Sequence, residues 1–495
     1  MKAIGPTPSF LSGSIWMLAM RWSIRLIGLV TTIILARLLD PVDFGIIAMA
    51  MIVVGLLQMI TWTGIDLALI KEKNCTTDHY NTAWTVQIIQ GTIVAVLLLV
   101  AAPLSESYFN EPSVVAVIRT LAANAFIQGF TNIGIVNFRK ELDFATEFRF
   151  GLYRRLATFF VTIPAAIVLR NYWAVVVSLV FSEIFGVFLS YGMHPYRPSI
   201  CLTKIKQIWS FSQWLLISRI GLYLNEKVDA LIVGNLMGTQ SMGYYHVAYE
   251  IGTLFSNEFV MPIRRALFPN MALLKDDKLA FDSTVYSVVS IVAFLGFSAG
   301  FGVSAIADEF THFVLGEKWK DAAVLIHWLA LFGAFAGVSL GLEVVLLATG
   351  RPKLSAIEAW AKFFVLVPLI YIVAVSGDLS AIAVARLAVS VGFLVIMILI
   401  VSAACALSVR TLTASIIRPL LSATAMWMII GYLKPATESP SALVMVEAIA
   451  GGAGTFIVVA AGIWWLSGRP DGFEKQIFDR LRTIKNERTR KTPST

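Results

Sequence analysis

The sequence predicts an all-α polytopic membrane protein of about fourteen transmembrane helices. Of its 495 residues, 58% are hydrophobic and only 14% are charged, where a soluble domain carries roughly a quarter charged residues. The mean hydropathy is +0.78. Apolar runs of about 20 residues, the length that spans a hydrocarbon core of roughly 30 Å, recur from one end to the other. No long polar segment is left to fold as a separate soluble domain, so the chain reads as a membrane body with loops.

Apolar runs set against charged or Pro/Gly breaks give the spans in order. The first eight are 14–36, 43–64, 82–102, 114–136, 147–169, 172–193, 208–234 and 242–263. The last six are 282–306, 322–348, 354–376, 379–407, 412–433 and 442–466. Lys2 is the only charge before Arg21, and no small-residue cleavage site follows a short apolar core, so the first run is expected to stay as a helix.

Lysine and arginine counts set the orientation. The even-numbered loops carry Lys71, Lys73, Arg139, Lys140, Arg149, Arg197, Lys204 and Lys206, then Arg264, Arg265, Lys275, Lys278, Arg351, Lys353 and Arg410. The odd-numbered loops carry only Arg37, Arg170, Lys318, Lys320 and Lys434. This asymmetry places both termini in the cytoplasm. The tail 469–495 holds eight of the 39 basic residues and explains much of the net charge of +8. Its Phe473, Ile477, Phe478, Leu481 and Ile484 recur near helical spacing among basic residues, a pattern shared by an amphipathic surface helix and by a solvated topology anchor. Cys75, Cys201 and Cys405 have no zinc spacing and read as ordinary thiols.

Residues 12–56 match residues 210–254 without gaps at an offset of 198, with 12 identities in 45 positions. Trp16 meets Trp214, Arg21 meets Arg219 and Gly45 meets Gly243. Helices 1–2 then correspond to helices 7–8. Six helices separate the copies, so both cross in the same direction, as in a parallel repeat about an axis along the membrane normal. The expected organisation is an N-terminal lobe 1–206, a second six-helix lobe 207–408, two appended helices in 409–468 and a basic tail 469–495.

A charge at mid-bilayer costs about 2.5–3.5 kcal/mol on the insertion scale and needs a reason. Arg21 and Arg25 lie four apart on one face of helix 1, and Arg25 and Arg219 sit about 16 Å into their helices. Helix 7 adds Glu226, Lys227 and Asp229, and helix 8 adds Glu250 and Glu258. Guanidinium groups suit phosphate because they are planar, permanently charged and bidentate. Arg21, Arg25, Arg219 and Lys227 are therefore candidates for a cationic substrate cavity. Glu226, Asp229, Glu250 and Glu258 are candidates for ion coupling or charge balance. The alternative is a set of interhelical ion pairs that fix packing. Arg119, Glu183, Glu343, Glu358, Lys362, Arg386 and Glu447 are expected to be buried and paired structurally, and His327 to be a satisfied histidine. No Walker loop, His-Glu-x-x-His or Gly-x-Ser-x-Gly motif occurs, and no metal, cofactor or enzymatic activity is expected.

The stretch Ala36-Arg37-Leu38-Leu39-Asp40-Pro41, with Phe44, Gly45 and Ala50, resembles the start of bacterial polysaccharide flippases of the multidrug/oligosaccharidyl-lipid/polysaccharide (MOP) exporter superfamily. Asp229 through Gly234, Gly243-Tyr244-Tyr245, Ala248, Pro262, Arg265, Phe268 and Pro269 resemble that family's helix 7–8 region, and Arg139, Asp143 and Phe144 its inward loop after helix 4. The branch resembled is that of the succinoglycan transport protein and colanic acid-type exporters. The resemblance implies a V-shaped bundle of two six-helix lobes in the bacterial inner membrane, working by alternating access. It implies undecaprenyl-diphosphate-linked oligosaccharide as substrate for exopolysaccharide synthesis, with a polymerase and a chain-length regulator as partners; the basic tail of a membrane protein is not expected to bind nucleic acid. Carried over by position, Arg21, Arg25 and Arg219 would line its cavity. The rival functions are a small-molecule antiporter of the same fold and a membrane glycan polymerase or ligase. The longest outward loop, near 307–321, is short for the catalytic groups of the latter.

Overall fold

The computed structural model describes residues 8–61, 64–72, 75–141, 143–273, 277–433 and 442–468, with the side chains of 8–22, 206–219 and most of 255–273 outside the description. The basic tail lies outside the described residues. The helices in chain order are α1 Pro8–Leu38, α2 Pro41–Thr61, α3 Ile65–Lys71, α4 Thr77–Phe109, α5 Ser113–Gln128, α6 Val136–Lys140, α7 Phe144–Leu169 and α8 Trp173–Met193. They continue as α9 Ile205–Leu273, α10 Lys278–Ala305, α11 Ala307–Phe310, α12 Ala322–Ala348, α13 Pro352–Val375, α14 Leu379–Cys405, α15 Val409–Leu433 and α16 Ala442–Leu466. Among the described residues no strand occurs.

Ten of these helices are long and apolar enough to cross a membrane, and an eleventh span follows if α5 and the segment Ile133–Lys140, bent by 72°, are counted together. The protein is thus a multi-pass membrane protein. Helix ends follow the local chemistry. Asp277 accepts from the Ala280 N–H at 3.0 Å and Asp378 from the Ser380 N–H at 2.8 Å, which satisfies orphan donors at the starts of α10 and α14. Asn110 closes α4 in the left-handed region at φ 52°, a conformation asparagine tolerates better than most residues.

α9 is two helical limbs joined at Gly238, whose φ of 78° and ψ of −178° leave helical space. Only glycine takes that conformation without strain. The limbs correspond to the expected helices 7 and 8. At this joint Gly45 packs on the carbonyl oxygen of Thr239, and Gly243 packs on the carbonyl oxygen of Pro41.

The chain divides into two compact units, Met1–Gly243 and Tyr244–Thr495. The second is built around α12, which buries 72% of its apolar window, whereas α13 buries 11% and turns most of its surface outward. α10 and α14 pack on α12, and α15 packs on α10, around a core that includes Phe297, Leu342, Val345, Val401 and Met426. In the first unit, α3 and the start of α4 enclose a smaller cluster of Ile65, Leu69, Ala83, Val86, Ile133 and Val136.

Candidate functional site

The first unit holds a site built on a broken helix. A single span over 114–136 is expected, but α5 stops at Gln128, and a 3₁₀ turn, Ile133–Ile135, leads to α6. The backbones of α4 and α5 come close at this point. A Cβ on Gly129 would lie 3.1 Å from the Ile88 Cα, and one on Gly91 would lie 2.8 Å from the Ala125 carbonyl oxygen. α4 and α5 are in backbone contact there, and only glycine permits it.

Breaking a helix leaves carbonyls without donors, which a membrane protein tolerates only inside protein or beside water. The Gln87 Nε2 donates to the carbonyls of Gln128, Gly129 and Thr131 at 3.2, 3.3 and 3.1 Å. Asn132 is fully buried. Its Oδ1 accepts from the Gly134 N–H at 2.9 Å, and its Nδ2 donates to the Tyr196 carbonyl at 2.8 Å. The break is therefore a fixed feature of the wall.

Beside it lies a partly open cavity of about 490 Å³, lined from α2 by Gln58, from α3 by Asp66, from α4 by Gln87 and Gln90, and from α5 by Gln128. Arg139 of α6, Glu147 and Arg154 of α7 and Glu183 of α8 complete its polar lining. Arg139 pairs with Glu147, and Arg154 pairs with Glu183. Glu183 is 5% exposed, so the guanidinium group is what permits its charge there. Arg154 also donates from Nε to Ser182 Oγ at 3.2 Å, and its guanidinium rests on Gly186. The result is a polar hollow inside apolar helices, rich in amides and in paired charges. The expectation of structural pairing holds for Glu183.

The predicted site residues fall as follows. Arg25 is half-buried on α1, one turn before Gly28, against which the Arg155 guanidinium of α7 packs. Arg21 is on α1 and Arg219 on the first limb of α9, and both side chains lie outside the described residues. Lys227 and Glu226 are brought together, Nζ to Oε1 at 2.9 Å, with the glutamate 54% exposed; such an exposed pair contributes little stability. Asp229 is fully buried, Glu250 is exposed and Glu258 is half-buried.

Further expectations concern other polar and charged residues. Arg119 and Glu447 are exposed, not buried. Arg386 of α14 is 4% exposed and sits over the rings of Tyr249 and Phe332, 5.1 and 4.6 Å from their centroids. Its Nη2 donates to the Tyr249 hydroxyl at 3.3 Å. Aromatic faces thus help to hold a buried cation. Ser355 Oγ donates to Glu343 at 2.8 Å, and Ser304 meets His327 Nδ1 at 3.1 Å. The three cysteines are free, and no cluster of metal-ligating side chains occurs among the described residues.

The family model described as polysaccharide biosynthesis protein matches residues 34–324. The chain belongs to that family. Among its relatives, the lipopolysaccharide biosynthesis protein WzxC of Escherichia coli K12 is 25% identical over 402 residues, covering 79% of this chain and 78% of WzxC. The succinoglycan biosynthesis transport protein ExoT of Rhizobium meliloti is 20% identical over 304 residues, covering 61% of this chain and 62% of ExoT. The fold matches the lipid II flippase MurJ in an inward closed conformation with a TM-score of 0.74 at 11% identity, over 91% of this chain and 99% of MurJ. It also matches an inward-facing MATE family transporter of the MOP superfamily with a TM-score of 0.59 at 15% identity, over 78% of this chain and 98% of that one. This polysaccharide biosynthesis family member thus shares its fold with MurJ and with that MATE transporter.

The four glutamines and the asparagine of the cavity escape a reading of the sequence that follows charges, because amides cost less to place in an apolar helix than ions do. The signal that could have found them is the run Gly129-Phe130-Thr131-Asn132, a loop-like cluster inside an expected span.

Proposed function

We propose that the protein is a flippase that moves undecaprenyl-diphosphate-linked oligosaccharide repeat units across the bacterial inner membrane by alternating access. The observation that carries this is a partly open polar cavity, built on a broken helix, in a chain of the polysaccharide biosynthesis family. Intramembrane charges and interrupted helices are where transporters bind their substrates. The named relatives act in lipopolysaccharide and succinoglycan synthesis, the second as a transport protein.

In this reading α1 and the two limbs of α9 bring the spans to fourteen, with both termini in the cytoplasm. The lobes are 1–206 and 207–408, with 409–468 appended. Arg21, Arg25, Arg219 and Lys227 draw the diphosphate, and Glu226, Asp229, Glu250 and Glu258 balance their charge or carry a coupling ion. A polymerase and a chain-length regulator act on the delivered units, and the chain itself catalyses no bond change. Arg25→Ala and Arg219→Ala are each expected to abolish polymer export at unchanged protein level. Normal export by both variants would refute the cationic pathway.

A further inference from the structure

We infer that the cavity at the break of α5 is a saccharide site: it takes sugar residues of the lipid-linked substrate, apart from the diphosphate. The inference rests on the flippase reading and names the part of the substrate that this cavity holds.

Its lining chemistry selects the ligand. Gln58, Gln90 and Gln128 bring primary amides to one hollow. Each amide offers donors and an acceptor side by side, the pattern that adjacent sugar hydroxyls complement. Asp66, Glu147 and Glu183 stand against Arg139 and Arg154, three carboxylates against two guanidinium groups. The excess is negative, so a diphosphate is repelled. Because Arg139 and Arg154 are engaged by Glu147 and Glu183, their remaining N–H groups serve neutral acceptors better than a second anion. The volume of about 490 Å³ lies within the roughly 300–1,000 Å³ of small-molecule pockets.

Position supports the same ligand. The α5–α7 connection that carries Arg139 and Lys140 belongs to the basic, inward set of loops, the side from which a precursor made in the cytoplasm arrives. Gln87 and Asn132 hold the broken backbone open, so the hollow is preformed, which lowers the ordering cost of binding.

The test replaces Cys75, Cys201 and Cys405 with serine and introduces Gln90→Cys or Gln128→Cys, with Leu279→Cys as a control that is 85% exposed and outside the cavity. Maleimide labelling rates are compared in membranes from the producing host and from a strain lacking its initiating sugar-phosphate transferase, which makes no lipid-linked saccharide. Occupancy slows labelling about tenfold when the ligand is near ten times its Kd. The expected result is that slowing at position 90 or 128 in the producing host alone, with position 279 unaffected. Equal rates in both hosts at both cavity positions, or equal slowing at position 279, overturn the inference. Slowed labelling in a host that still exports polymer without this gene would keep the saccharide site and reject the flippase reading.

Discussion

Gly45 and Gly243 are reciprocal partners. Gly45 packs on the carbonyl oxygen of Thr239, and Gly243 packs on the carbonyl oxygen of Pro41. Each residue of one contact is 198 positions from its counterpart in the other, the offset of the sequence repeat. Contacts of the form i to j and j to i mark a local twofold axis, so the repeat is present in the geometry as well as in the sequence. A Cβ at either position would strike backbone, and overpacking of that kind costs about 1–3 kcal/mol. Gly45→Ala and Gly243→Ala are expected to lower the unfolding temperature in detergent by similar amounts. A normal unfolding temperature for either would show that the joint is loose.

The Arg154–Glu183 pair is asymmetric, with side chains 34% and 6% exposed respectively. Removing the arginine strands a buried carboxylate, whereas removing the glutamate leaves a guanidinium group that reaches water. Breaking a buried pair from its costlier side loses about 3–5 kcal/mol. Arg154→Ala is therefore expected to destabilise the protein more than Glu183→Ala does, and the double variant less than the sum of the two. Additive losses in a double-mutant cycle would contradict the pairing.

Asp143 starts α7 by accepting from the Thr146 N–H at 3.1 Å, and hydrogen bonds from the Thr146 hydroxyl and N–H hold its carboxyl below the usual carboxylate range. A lowered value in the folded state means that the cap stabilises above the ordinary pKa and is lost as pH falls through the lowered one. Asp143→Ala should cost about 1 kcal/mol at neutral pH. The gap between variant and parent should close on acidification below about pH 4. A gap independent of pH would assign the effect to something other than the carboxylate.

Cys201 lies 3.2 Å from the Thr203 hydroxyl, whose hydrogen bond, with that of the Thr203 N–H, lowers the thiol's pKa. The thiolate is the reactive form, so Thr203→Val is expected to slow alkylation of Cys201 near neutral pH. In intact cells, an impermeant maleimide added outside should leave Cys201 unlabelled if the proposed orientation, with both termini in the cytoplasm, holds. Labelling from outside would invert the topology.

Most helices were legible because a span is written as a long apolar run, and its length is fixed by the bilayer. The bounds 322–348 and 442–466 agree with α12 and α16. The break of α5 is not legible from hydropathy, since the freed carbonyls after Gln128 are taken up by Gln87 of α4, a tertiary event. Arg119 falls within an apolar run, but position along a helix does not reveal which face a residue occupies. Glu183 stands out as a lone charge in an apolar run, whereas its partner Arg154 lies among other arginines in the first half of α7, and the amides of the cavity carry no charge. Gly45 and Gly243 stood in the repeat from the start, and their role became visible only when both contacts were seen together.

The most direct test of the flippase is the sidedness of its substrate in cells lacking the gene. Lipid-linked oligosaccharides would be extracted from the deletion strain, sized, and assayed for accessibility to a periplasmic glycan-modifying enzyme. Complete repeat units that accumulate and stay inaccessible from the periplasm are the predicted result. Single repeat units reaching the periplasm, or polymer at its normal level, would contradict it.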